Sequence, residues 1–305
     1  MSIPYTPAAD PLGQTAPLDH SLTVPLLGVP VTYRSNSPAV IEAAGRALAV
    51  WRELPPELVA PGPPARVDVV VHPLGPGDPE VAPAERFVFR AHGDSVLAAS
   101  GGNLLGAQLA AGVATAFVTP ALAADEPGLR QHVIESLGLL LVSRRDRAPV
   151  RAAAVVGGGR AVLLVGPSGA GKSTLCYACV RAGLALMAEN AVSVSLEGGL
   201  RIWGHPGRIH LLPDAPRLFP ELAGLAPQVR ASGKPKLAVD VTALGRDRLA
   251  THADRAVVCL LTRAAGQASR LAPVDAGEAA AALGDPREPG LDLLRERAPA
   301  VARAL

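Results

Sequence analysis

The chain has 305 residues, enough for one large domain or two ordinary ones that each bury a core without disulfides. Hydrophobic residues make up 49% but aromatics only 3%, so the core must be aliphatic and closely packed. Lys and Arg number 29 against 27 Asp and Glu, a net charge of +2 with no block of like charge, which offers a nucleic-acid backbone little attraction. Three cysteines make no disulfide framework, and the start MSIPYTPAAD lacks the basic end and apolar run of a signal peptide, so a cytoplasmic protein is expected.

Residues 1–24 are Pro-rich and aperiodic, which predicts an extended or disordered arm. Residues 25–145 read as an α+β N-terminal domain, recognition or regulatory by default. It holds a strand at 29–33, a helix at 39–52, a strand at 66–72 (RVDVVVH) and a hairpin of 86–91 with 95–99 about His92-Gly93-Asp94. The segment 104–124 (LLGAQLAAGVATAFVTPALAA) is uncharged and long enough to span a bilayer. Gly106, Gln108, Gly112, Thr115, Thr119 and Pro120 interrupt it, and alanine contributes little to insertion, so it predicts a buried helix over 103–117 and no membrane span. A second helix follows at 127–143, with Val133, Leu137, Leu140 and Leu141 on its buried face.

The remainder, 146–305, predicts a hairpin of 150–156 with 161–165 about Gly157-Gly158-Gly159, feeding directly into a glycine-rich loop. Then come a helix at 172–182, a strand at 184–188, a strand pair about Glu197-Gly198-Gly199, and a Pro-broken region to Pro227. Residues 230–236 (RASGKPK) read as a mobile surface loop, and a strand at 256–261 and helices at 276–283 and 290–303 close the chain.

The loop comprises Gly166, Pro167, Ser168, Gly169, Ala170, Gly171, Lys172, Ser173 and Thr174, matching the Walker A pattern at every fixed position between an apolar strand and a helix. Glycines are needed there because backbone N–H groups must turn toward phosphate oxygens without side chains in the way. Lys172 would reach the β- and γ-phosphates of ATP, Ser173 would supply a hydroxyl for Mg²⁺, and the helix N-terminus would add its partial positive charge. Such a loop needs a carboxylate at a neighbouring strand end, and Glu189 with Asn190 stands one helix and one strand beyond.

The loop spelling alone suits an ABC transporter ATPase, but no Gln loop, LSGGQ-like helix or distant Asp-Glu pair follows it. Residues 148–282 resemble the C-terminal domain of HPr kinase/phosphorylase and its serine-kinase-like relatives, which share a fold with phosphoenolpyruvate carboxykinase. The likeness is carried by APVRAAAVVGGGRAVLLVG, GPSGAGKST, LALMAEN, GHPGRIHLLPDAP, GKPK and AVVCLL. It implies an α/β P-loop domain with a mixed sheet and flanking helices, and transfer of the γ-phosphoryl of Mg-ATP to a hydroxyl, serine foremost, of a protein or peptide acceptor.

The resemblance places Glu189 and Asn190 where relatives carry paired aspartates, making Glu189 the base or metal ligand and Asn190 an uncharged metal ligand. Arg151 stands where relatives show histidine; it cannot titrate near neutrality but could bind phosphate oxygens, and an exposed strand arginine is the alternative. These departures leave a second reading open, a nucleotide-binding scaffold with weakened catalysis in a peptide-modification pathway. Carboxykinase activity fits least, since no matching substrate or Mn²⁺ ligands are found.

Cys176 and Cys179 lie a turn inside the loop helix and read as small buried residues. His205 and His210 near Arg208 read as polar lining of a cleft, and Lys234 and Lys236 as a basic loop near the nucleotide or acceptor, or a merely soluble one. A homo-oligomer is compatible with all of this.

Overall fold

Period-two alternation of buried and exposed residues builds the N-terminal part into one sheet, as the computed structural model shows. The structure describes residues 16–72, 87–229, 234–263, 268–284 and 297–305. It divides into two units, Met1–Leu141 and Val142–Leu305. Both are mixed α/β.

The first unit carries β1 (His20–Leu26), β2 (Val29–Ser35), α1 (Pro38–Ala47), β3 (Ala65–Val71), β4 (Val88–His92), β5 (Ser95–Ser100), β6 (Asn103–Gln108) and β7 (Val113–Val118). Its sheet runs β1-β2-β3-β7-β6-β5-β4, with β2, β3 and β7 parallel and the other neighbours antiparallel. Then come α2 (Pro120–Ala124), α3 (Glu126–Gly128), a π-helical stretch Leu129–Glu135 and α4 (Ser136–Val142). One sheet face, including Val31, Tyr33, Val67, Val69, Leu105 and Ala116, is buried. The Tyr33 hydroxyl donates to the Ile134 carbonyl at 2.9 Å, joining sheet to helix.

Two expectations are corrected in this unit. The helix predicted over 103–117 is the hairpin β6–β7, in which Leu105, Ala107, Ala114, Ala116 and Val118 point inward while Leu104, Gln108 and Phe117 point out. Alanine suits helix and strand alike, and here sheet packing with β-branched Val113, Thr115 and Val118 outweighs helical propensity. Order begins before Val24, because β1 pairs with β2 from His20 onward; residues 1–15 of the expected arm lie outside the described residues, as does residue 86 of the predicted hairpin. Among the described residues no helix is long and apolar enough to cross a membrane, which leaves β-barrels unaddressed.

The second unit carries β8 (Ala148–Val150), β9 (Ala153–Gly157), β10 (Arg160–Val165), α5 (Lys172–Arg181), β11 (Ala185–Ala188), β12 (Val192–Ser195), β13 (Arg201–Gly204), β14 (Arg208–Leu211) and β15 (Gln228–Val229). After these come β16 (Pro235–Asp240), β17 (His252–Ala253), β18 (Ala256–Leu260), α6 (Ala276–Gly284) and α7 (Ala298–Ala304). Its sheets are ordered β11-β9-β10-β18, β17-β13-β12-β8 and β14-β16-β15. The first is covered on both faces, which is why its strands are continuously apolar. Ala154, Leu163 and Val165 join Val192, Val194 and Ile202 on one side. Val155 and Leu164 join Tyr177, Val180 and Ile209 on the other.

The strand expected at 150–156 breaks at Arg151, where the chain passes from β8, paired with β12, to β9, paired with β10 and β11. Lys236 lies in β16, not in a loop, since Gln228↔Lys236 and Leu211↔Leu237 pairings draw it into a sheet; residues 230–233 are outside the described ones. The region read as Pro-broken contains β14. Of the helix expected at 290–303, residues 290–296 are outside the description and α7 covers 298–303, with Arg297 as its N-cap.

Candidate functional site

Strand pairing gathers the candidate residues at one end of a sheet. Leu164 of β10 pairs with Ala153 near the start of β9, Ala188 at the end of β11 pairs with Ala154, and Val165 pairs in parallel with Leu260. The end of β10, the start of β9 and the ends of β11 and β18 therefore coincide. The glycine-rich loop, Arg151, Glu189 and Leu261 all emerge there.

The loop backbone depends on its glycines. A Cβ on Gly166 would come within 3.0 Å of the Leu261 carbonyl oxygen, while Gly169 and Gly171 take φ values of +84° and +96°, which other L-residues rarely adopt. Gly171 is the N-cap of α5, and the helical ladder begins where Leu175 N–H donates to the Gly171 carbonyl at 2.9 Å. The N–H groups of the first turn lie outside that ladder, so they converge with the helix dipole on the loop. Lys172 Nζ lies back across it, donating to the carbonyls of Gly166 at 2.9 Å and Pro167 at 3.0 Å.

Glu189 follows β11 directly. Its Oε1 accepts from the His210 N–H at 2.9 Å and lies 3.5 Å from Ser173 Oγ; its Oε2 lies 2.5 Å from His210 Nδ1. An ionised carboxylate only accepts, so Nδ1 carries the hydrogen in this pair. Only 16% of the Glu189 side chain and 19% of the His210 side chain is exposed. Ser173, Glu189 and His210 thus form one hydrogen-bonded cluster at the mouth of the loop.

Other candidates sit as follows. Asn190 is exposed, and among the described residues it makes no hydrogen bond to the cluster. Arg151 is half-buried at the same sheet end. Lys234 is exposed and Lys236 half-buried. Arg208 approaches Asp240 at 3.8 Å, so of the segment holding His205, Arg208 and His210 it is His210 that reaches Glu189. The sequence places His210 only in the lining of a cleft within a Pro-broken region; the apolar flanks Ile209 and Leu211, buried in β14, are the signal that could have shown a strand there, but the contact with Glu189 joins β14 to the end of a strand in a different sheet. Among the described residues, no group of three or more His, Cys, Asp or Glu stands ready to hold a metal by itself.

The chain matches no known family model and no curated protein.

Cys176 is fully buried behind this site, its thiol facing the Ala188 carbonyl. Burial, then the neighbouring Cys179 and Glu189, pushes its pKa up to about 12. Because the raised value keeps the sulfur a thiol until strongly alkaline pH, iodoacetamide at pH 8 is expected to leave Cys176 unmodified in the native protein and to label it in denaturant, read by peptide mass. Labelling of the native chain at the denatured rate would contradict the packing described.

Proposed function

We propose that the second unit binds Mg-ATP at the glycine-rich loop and transfers its γ-phosphoryl group to a hydroxyl of a protein or peptide, serine foremost, in the manner of the HPr-kinase-like P-loop fold. The observation that carries this reading is the convergence of loop, Lys172, Ser173 and Glu189, with Ser173 Oγ and Glu189 Oε1 3.5 Å apart. The residues fit the ligand: Gly169 and Gly171 leave open space where a Cβ would stand, and the groups around them are backbone N–H donors, an ammonium and a hydroxyl.

Bound Mg-ATP would supply the transferable phosphoryl group and a cation that neutralises its charge. The non-proline residues of Gly166 to Thr174 would cradle the phosphates with main-chain N–H groups, and Lys172 would set its ammonium against them. Ser173 offers its hydroxyl oxygen, and Glu189, across from it, offers Oε1 to the cation or takes the acceptor's hydroxyl proton. Arg151 adds a guanidinium at the same end.

Glu189→Gln keeps the shape and removes the charge. Transfer from γ-labelled ATP to candidate hydroxyl peptides is expected to fall about a hundredfold or more, with ATP binding measured in EDTA kept within about fivefold. The exposed, uncharged Asn190 favours the second reading, a nucleotide-dependent scaffold with little turnover, which tight binding without transfer or hydrolysis in the unaltered chain would support.

A further inference from the structure

We infer that His210 is a positioning residue, whose imidazole orients Glu189 toward Ser173 and so couples Mg²⁺ to nucleotide binding; this rests on the nucleotide reading above. A glutamate has one more rotatable bond than an aspartate, so its carboxylate needs external fixing to hold one geometry. Among the described residues Glu189 gets that fixing from one, His210, whose main chain holds Oε1 and whose ring holds Oε2. The two bonds close a ring between β14 and the end of β11, which locks the carboxylate plane as well as its position.

The third contact differs. Ser173 Oγ stands 3.5 Å from Oε1, beyond the usual span of about 2.5–3.0 Å for a hydroxyl donor. It is the weakest of the set and the one a cation replaces at least cost. The remaining two, both from His210, would then stay to hold the carboxylate, as a ligand's outer partners do in metal sites generally. Any substitution except proline keeps the main-chain bond, so the ring contribution can be removed alone.

The test measures the Kd of ATP in the full-length chain with Mg²⁺ and with EDTA, the ratio being the Mg²⁺ gain. His210→Ala and His210→Phe are expected to cut that gain about tenfold or more and to leave the EDTA value within about threefold. His210→Asn, whose side-chain N–H can replace Nδ1–H, is expected to restore it to within about threefold of the unaltered chain. Thermal melts of all three identify any variant that fails to fold, and Phe retains the bulk that Ala loses. An unchanged Mg²⁺ gain in Ala and Phe, no restoration by Asn, or no Mg²⁺ gain in the unaltered chain each overturns the positioning role while the nucleotide reading stands. Absence of ATP binding by the unaltered chain under both conditions overturns both.

Discussion

Lys172→Ala is expected to weaken ATP binding by about a hundredfold or more, measured by calorimetry or displacement of a fluorescent analogue. The ammonium is the one full positive charge contributed by the Walker A stretch, and charge-assisted hydrogen bonds to phosphate contribute roughly 1.5–3 kcal/mol each, with about 1.4 kcal/mol per tenfold in affinity. The substitution also removes the two bonds from Nζ to the carbonyls of Gly166 and Pro167, so the loop loses an internal tie together with its charge. The fold should survive, because Lys172 is only partly buried at the start of α5 and alanine is the strongest helix former. ATP binding undiminished in Lys172→Ala would falsify the nucleotide reading.

Gly204→Ala is expected to be the most destabilising small substitution in the second unit, by about 3 kcal/mol or more, seen as a Tm lowered by about 6 °C or as failure to express folded protein. A Cβ on Gly204 would overlap the Met187 side chain and carbonyl oxygen and lie within 2.7 Å of the carbonyl carbon. Backbone cannot swing aside as a side-chain end can. Met187 is fully buried, two residues before Glu189, so the close approach of Gly204 in β13 to Met187 in β11 also holds the carboxylate's strand in place. Gly224→Ala is the control: a Cβ there meets nothing within 4 Å, and its effect should stay within about 0.5 kcal/mol. Equal Tm values for the two variants would show that β11 and β13 do not approach so closely in solution.

Much of the second unit was legible because its signals are local. The hairpin ahead of the loop announces itself by Gly157-Gly158-Gly159 between apolar runs, and β9 and β10 pair across Gly158 and Gly159. Helix α5 and strand β11 start and stop within a residue or two of expectation, because the loop glycines and Gly183 punctuate them. The break at Arg151 was not legible, since β8 leaves for another sheet through partners that lie some forty residues away in the chain. The same limit hid the His210–Glu189 pair. In the first unit the alanine-rich 103–118 stretch misled, because alanine fits either period and only the alternation of its larger neighbours speaks for strands.

The parallel pairing of β10 with β18 sets an order of events at the ribosome. β10 carries the loop, yet the neighbour that completes its far side arrives about a hundred residues later, and Leu261 donates to Val165 and packs its carbonyl under Gly166. Until that segment emerges, β10 has an open apolar edge of the sort that pairs with stray strands. The nascent chain therefore passes through a stage with the whole Walker A stretch made but its floor missing. Mispairing through that edge should matter most between those two points of synthesis.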